Sequence, residues 1–469
     1  MEAQKRWLTE DKLALIIGMF LFCLAAFNFV GKDLLGWGVK TNIWTWAKLS
    51  TIFSTASAGY HISGAVSLIL TWVFLTAILT VGIKYLGGKP WQFIKGFTVI
   101  FFLSYGFFAL GSHAIIAANR TKADWAKYGL HWSMGLTLEA GFIIAMVAGL
   151  VIGNFFPRLA NWLKESLRPE MYVKIAVIIL GAELGLKALD HPGLSSSVIF
   201  LGFCAIINAY LIYWAVVYYI ARKWFGFSRE WSAPLASGIS ICGVSAAIAT
   251  GGAIKARPFV PVMVSSLVII FTCVEMLILP FVAQATLAHS PLVAGAWMGL
   301  VVKSDGGAIA SGAITDALIH ANGLAVMVAT TEKVFIDIFI GIWAFVLAWI
   351  WTSKIDSKPG ERMKMGEVLD RFPRFVLGYV LTFVVMLLVC FHHPAMIAAG
   401  KSLIAGTNVF RMIFFILTFF TIGVASNFRK LWEVGIGKLA LVYVVGLFGF
   451  IIWVGLFLSW LFFHGVKLS

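Results

Sequence analysis

The chain has 469 residues, 61% of them hydrophobic and only 12% charged, at a mean hydropathy of +0.93. This composition excludes an ordinary soluble domain and places the chain among polytopic membrane proteins. A net charge of +15 suggests nucleic acid at first sight, but the basic residues are scattered through short loops, which reads as membrane topology instead.

A bilayer-spanning helix needs roughly 18 or more apolar residues. On that measure the sequence predicts an all-α polytopic membrane protein of about 13 transmembrane helices. The first three lie at about 13–31, 63–84 and 97–118. Leu13 to Val30 is long enough to span, and no small-residue cleavage site follows it, so it is not read as a signal peptide. A polar loop at 119–130 then sets residues 1–130 apart as accessory helices. Residues 131–469 form the expected ten-helix transporter core, at about 135–154, 173–189, 197–220, 232–253, 258–284, 291–318, 322–352, 375–391, 408–427 and 439–463. Residues 353–374 form the longest charged linker and are assigned to the cytoplasm. With a cytoplasmic N-terminus, the inside holds roughly twice as many basic residues as the outside. That count places Arg229 inside and Lys255 and Arg257 outside. Five cysteines, all inside apolar segments and none closely spaced, suggest neither a disulfide framework nor a metal site. The 19 tryptophans and 40 phenylalanines suit interfacial belts and lipid-facing surfaces.

Polar residues inside these apolar segments carry the functional signal. Ser237-Gly238-Ile239-Ser240-Ile241-Cys242-Gly243-Val244-Ser245 puts two glycines and three hydroxyls at the centre of one of them. Opened backbone at membrane depth is tolerated only inside protein or against a wet cavity, and transporters bind cargo at such breaks. Small-residue helix packing is the competing explanation. Gly299 to Gly312 places Lys303, Ser304 and Asp305 beside Gly306 and Gly307. A Lys or Asp at mid-membrane costs about 2.5–3.5 kcal/mol, so these side chains should face protein or water. Unwinding at Gly306-Gly307 would bring Lys303 and Asp305 together or leave Lys303 for an anion; a purely structural ion pair is the alternative. Glu332 and Lys333 follow in the next span, where Lys333 and Asp337 have the i,i+4 spacing of a neutralised pair. Glu139, Glu183 and Glu275 are isolated carboxylates in apolar runs, proton carriers if buried and ordinary helix-end or paired groups otherwise. Thr421 to Asn427 is a third small-residue cluster, expected to break the ninth core span as Ser240 breaks the fourth, in the manner of inverted repeats. Gly149/Gly153 and Gly181/Gly185 are GxxxG pairs suited to helix contacts. No HExxH, phosphate-binding or dinucleotide glycine motif occurs, which argues against an enzyme.

From Ala145 onward (AMVAGLVIGNFFP), through Ile179–Leu186, Ser240-Ile241-Cys242-Gly243, Ala246–Thr250 and Lys255, the 295–318 segment, Lys333 and Thr421–Leu431, the chain resembles the YeiH-type sulfate exporter family. The resemblance covers about 135–465. It implies an inner-membrane secondary transporter related to the cation:proton antiporter and anion transporter superfamily, with helices interrupted near mid-membrane. Where many members carry a His-Glu or His-Asp pair, this chain has Lys303-Ser304-Asp305-Gly306, and residues 1–130 have no counterpart in the resemblance. The expectation is alternating-access transport of a small anion, sulfate or a related oxyanion. Ser240, Cys242, Gly243, Ser245, Lys303, Ser304, Gly306 and Gly307 would bind substrate, with Asp305, Glu332 and Lys333 in ion coupling. No cofactor is expected beyond coupling to H⁺ or Na⁺, and the expected partners are the anion, the bilayer and a second copy of the chain, not nucleic acid. The alternatives are a sodium- or proton-coupled importer of an organic carboxylate or sulfonate, and a channel, which scattered single charges do not favour.

Overall fold

The computed structural model describes residues 8–118, 122–134, 138, 140–187, 189, 192–257, 259–351, 374–427 and 437–466. Glu139 and nearly all of the charged linker lie outside these residues, as do the side chains of Ser245, Asp305 and Asp337. Helices of ten or more residues are α1 (Glu10–Ala26), α2 (Gly64–Tyr85), α3 (Pro90–Gly111), α4 (Ala140–Phe155), α5 (Pro169–Lys187), α6 (Pro192–Tyr219), α7 (Arg229–Ser240), α8 (Gly243–Ala253), α9 (Phe259–Thr286), α10 (Pro291–Val301), α11 (Asp305–Leu318), α12 (Leu324–Ile350), α13 (Arg374–His392), α14 (Ile397–Ala425), α15 (Gly437–Gly446) and α16 (Ile452–Phe463). Among the described residues the chain is all-α apart from a two-stranded antiparallel ribbon, β1 (Val39–Thr41) with β2 (Phe53–Thr55), in which Lys40 pairs with Ser54. It divides into two compact units, residues 1–192 with 374–425 and residues 193–373 with 426–469.

In the first unit, glycines let helices approach backbone to backbone. A Cβ on Gly149 or Gly153 of α4 would lie 2.2 Å from Phe420 O and 2.4 Å from Val424 O on α14, and one on Gly423 would lie 2.3 Å from Met146 O. Gly181 and Gly185 of α5 meet Tyr379 O and Phe383 O on α13 in the same way. Both GxxxG pairs are therefore helix contacts, the close-approach role that small residues play in membranes. Of the expected break at Thr421–Asn427, Thr421–Ala425 continue α14, with Gly423 a packing residue, while Ser426 and Asn427 lie beyond its end. The N-terminal helices belong to this unit, with Gly18 of α1 packed on Ile178 of α5.

Among the described residues, six stretches are long and apolar enough to span, namely Glu10–Val30, Gly64–Tyr85, Pro90–Gly111, Phe200–Trp224, Pro394–Ala425 and Gly437–Phe463, with a bent pair from Ala140 to Ser166 as a seventh. The segments at 232–253 and 291–318 fail the test because each is split into halves of 11 to 14 residues. A helix rises about 1.5 Å per residue, so such a half reaches only part-way through a ~30 Å hydrocarbon core.

In the second unit these halves do not continue across; they turn back. Thr250 Oγ1 of α8 donates to Ser237 Oγ of α7 at 2.7 Å, and Arg257 beyond α8 binds Glu230 at the start of α7 through its backbone N–H (2.8 Å) and guanidinium (2.9 and 3.1 Å). Helices α10 and α11 fold likewise. Gly295 and Gly312 both sit against Ala325 at the start of α12, and Gln284 Nε2 at the end of α9 donates to Leu318 O. Both interrupted segments are re-entrant hairpins rather than crossing helices. The sequence reading that put Arg229 and Arg257 on opposite sides is thereby corrected, since Glu230 and Arg257 are paired at one end.

The first hairpin has its base at the far end of α12, where Ala253 packs on Ala344 and Ala348, and Ala233 and Ile254 pack on Leu347 and Trp351. The second has its base at the near end, beside Ala325. They therefore enter from opposite ends of α12, and their tips can meet halfway along it.

Candidate functional site at the hairpin tips

The first tip is Ile241-Cys242, where φ/ψ leave the helical region at −106°/−91° and −137°/110°. The second is Val302-Lys303-Ser304, with Val302 at −73°/123° and Ser304 at −99°/149°. They touch directly: Gly243 N donates to Lys303 O at 2.6 Å. A Cβ at Gly243 would lie 2.0 Å from Val268 Cγ1 and 3.1 Å from Lys303 O, so this approach requires glycine. Val268, Thr272 and Glu275 line the middle of α9. A Cβ on Gly307 would meet Thr272 Cγ2 at 2.3 Å, and Glu275 Oε2 accepts from Lys303 N at 3.1 Å. The meeting point is thus half-way along both long helices.

Unwinding was expected at Gly306-Gly307, but both glycines lie in the first turn of α11 and the open backbone is one residue block earlier. The cause is local. Ser304 is an N-cap, its Oγ accepting from Gly307 N at 2.9 Å, which starts the helix at Asp305.

Each tip combines the C-terminus of one half-helix with the N-terminus of the next. A helix carries about half a negative charge at its C-terminus and half a positive charge at its N-terminus. The two buried lysines attend the C-terminal ends. Lys333 Nζ donates to Ile241 O at 3.1 Å and reaches Val302 O at 3.5 Å, stitching the two open tips together. Lys303 Nζ donates to Leu300 O in the last turn of α10 and lies 4.8 Å from the centre of the Tyr213 ring. The sequence left Lys303 to pair with Asp305 or to meet an anion; its described contacts are Leu300 O and the Tyr213 ring. Lys303 and Lys333 are at most 1% exposed. With Ile241 O, Val302 O and Leu300 O attended by cations, the field left at the tips is the positive one of the N-termini of α8 and α11, whose Gly243 and Gly307 N–H groups are paired with Lys303 O and Ser304 Oγ.

The remaining polar groups divide into tied and untied. Glu275 is tied: besides Lys303 N it accepts from Tyr443 OH at 3.2 Å, and Tyr443 is stacked on Phe271 with ring centres 4.3 Å apart. Ser240 Oγ, Tyr213 OH and both Glu332 oxygens are buried and have no hydrogen-bond partner among the described residues. Glu332 owes its place to glycines: a Cβ on Gly299 would lie 2.7 Å from Glu332 Cβ, and one on Gly202 would lie 3.1 Å from Glu332 Oε1. Buried polar atoms left unpaired cost about 1–3 kcal/mol each, so a cluster of them fits a ligand or a proton taken up there.

Of the residues singled out by sequence, Ser240, Cys242, Gly243, Lys303, Ser304, Gly306, Gly307, Glu332 and Lys333 are gathered at or beside the tips. Ser245 and Asp305 belong to the first turns of α8 and α11, and their side chains lie outside the description. Glu275 was visible in the sequence only as an isolated carboxylate. Tyr213 and Tyr443 gave no signal, because a tyrosine in an apolar helix reads as core until a partner is seen.

A family model described as conserved hypothetical protein 698 matches residues 128–454. A UPF0324 membrane protein of Nitrosomonas europaea is 37% identical over 98% of this chain and 96% of its own length, so its match takes in the N-terminal helices as well. A UPF0324 membrane protein of Rhodopirellula baltica is 29% identical over 80% of this chain and 64% of its own length. An uncharacterized protein of Archaeoglobus fulgidus is 46% identical over 30% of this chain and 86% of its own length. No solved structure matches. By the match over residues 128–454 and the near full-length likeness to the Nitrosomonas protein, the chain belongs to the conserved hypothetical protein 698 family of UPF0324 membrane proteins.

Proposed function

We propose that the chain is a secondary transporter of a small anion, in the manner of the YeiH-type sulfate exporters it resembles, working by alternating access in the inner membrane with its N-terminus in the cytoplasm. The observation that carries this reading is the division of labour at the tips. Lys333 and Lys303 cap the carbonyl ends, which leaves the N-termini of α8 and α11 and the unpartnered Ser240 hydroxyl for an anion. Helix N-termini are ready-made anion sites, and discontinuous helices at the membrane midplane supply them in transporters. Sulfate or a related oxyanion is the substrate class, and Asp305 with Glu332 carries the coupling ion.

A second reading, a sodium- or proton-coupled importer of an organic carboxylate or sulfonate, is favoured by Glu332, a fully buried carboxylate with no hydrogen-bond partner among the described residues. Proteoliposome flux of labelled sulfate, under imposed proton or sodium gradients, separates the two. Sulfate flux that Ser240→Ala weakens and Lys333→Met abolishes supports the first reading. No sulfate flux, with gradient-driven uptake of a labelled sulfonate, selects the second. Flux indifferent to both substitutions removes the tips from the mechanism.

A further inference from the structure

The first unit contains a cavity that the tip site does not use. It encloses about 400 Å³ and is lined by β1 of the ribbon, by Tyr105 and Phe108 of α3, and by one face of α14 that carries Asn408, Arg411 and Met412. Pockets of this size hold small molecules rather than two-chain lipids.

Its polar end is built around Arg411, whose side chain is 12% exposed. One Nη lies 3.1 Å from Glu183 Oε2 on α5, Nε donates to Asn408 Oδ1 at 2.6 Å, and the guanidinium lies 6.0 Å from the centre of the Phe415 ring. A guanidinium has five N–H donors. The others have no hydrogen-bond partner among the described residues. Lys40 of β1 lines the same cavity, is exposed, and makes no ion pair among the described residues. Thr41 beside it is anchored, donating to Tyr105 OH at 2.9 Å, and Tyr105 OH donates in turn to Val39 O, so the wall that presents Lys40 is fixed to α3.

From this arrangement we infer that the Arg411 cavity binds a small organic monoanion, a carboxylate or sulfonate with an apolar body. Arg411 and Glu183 cancel each other's charge, and Lys40 adds one positive charge, which one negative charge balances. Inorganic sulfate, a dianion without an apolar part, would leave a net negative charge and the Tyr105, Phe108 and Met412 walls uncovered. The planar donor fork of arginine suits a carboxylate or sulfonate head. The site owes its basic wall to the N-terminal ribbon, which gives those residues a role in ligand capture. It does not depend on the reading of the tip site.

The test is binding of 4-fluorobenzenesulfonate to the purified full-length chain in detergent, followed by ¹⁹F NMR. Glu183→Gln/Arg411→Gln removes both members of the ion pair and leaves no uncompensated buried charge; it should weaken binding by at least ~10-fold, the scale of a lost charge-assisted pair. Lys40→Gln, an exposed change that leaves folding intact, should weaken it by roughly threefold or more. Lys223→Gln, an exposed change in the other unit, should leave it unchanged, and unlabelled benzoate should displace the probe at far lower concentration than sulfate. The inference is overturned by absence of saturable binding up to ~10 mM, by Lys40→Gln or the double variant binding as wild type, by loss in Lys223→Gln, or by sulfate competing as well as benzoate.

Discussion

Replacing Lys333 by Met removes the ammonium that Ile241 O and Val302 O share while keeping most of the side-chain volume. The 3.1 Å contact is a full hydrogen bond to a charged donor and the 3.5 Å one a weaker contact. Hydrogen bonds to charged groups contribute about 1.5–3 kcal/mol, so with the longer contact added the closed tip should lose about 2–3 kcal/mol. At 1.4 kcal/mol per factor of ten, the population in which the tip is open rises about 30- to 140-fold. Cys242 sits in that tip and is 2% exposed, which makes it a reporter. With Cys23, Cys204, Cys273 and Cys390 changed to Ala, the rate of Cys242 alkylation by N-ethylmaleimide tracks the open population when closing outpaces reaction. Lys333→Met should accelerate labelling by the same 30- to 140-fold while far-UV circular dichroism stays unchanged. Labelling within about threefold of the parent would refute the idea that Lys333 holds the tips together.

Three further outcomes follow from the same geometry. Gly243→Ala forces a methyl to within 2.0 Å of Val268 Cγ1 and should cost about 1–3 kcal/mol in overpacking, lowering the thermal midpoint and transport, whereas Gly437→Ala, which meets nothing within 4 Å, should do neither. Glu332→Gln should keep the protein folded, since neither oxygen has a hydrogen-bond partner to lose among the described residues, but should remove the dependence of flux on an imposed proton gradient; an unchanged gradient response excludes Glu332 from coupling. The Arg257 guanidinium and backbone N–H hold the Glu230 carboxyl below its usual range. A carboxyl whose folded value is depressed stabilises the fold above its unfolded value near 4.3, and that contribution is lost as pH falls through the lower folded value. Melting curves between pH 3 and 7 should therefore show a loss of stability at the acid end that Glu230→Gln lacks.

Hydropathy alone determined that this is an all-α membrane protein, because continuous apolar runs of about 20 residues satisfy the backbone in lipid as helices, whereas barrel strands are about half that length and alternate polar with apolar residues. Most residues of the candidate site also stood out. Lys303, Ser304, Glu332, Lys333 and the glycine-flanked Ser240 stood out because polar groups in apolar runs are costly and rarely accidental. The GxxxG pairs could be read as contacts from spacing alone. What the sequence could not determine was direction. An apolar segment of 22 residues with a break at its centre has the same composition whether it crosses or turns back, and only the Ser237–Thr250 and Glu230–Arg257 contacts decide that it turns back. For the same reason the sequence could not tell that Gly423, within Thr421–Asn427, serves close approach to α4. The jobs of the two lysines were decided at the tertiary level as well. A buried ammonium takes whichever acceptors the fold brings within reach, and here these are carbonyls freed at tips that lie about sixty residues apart in the chain.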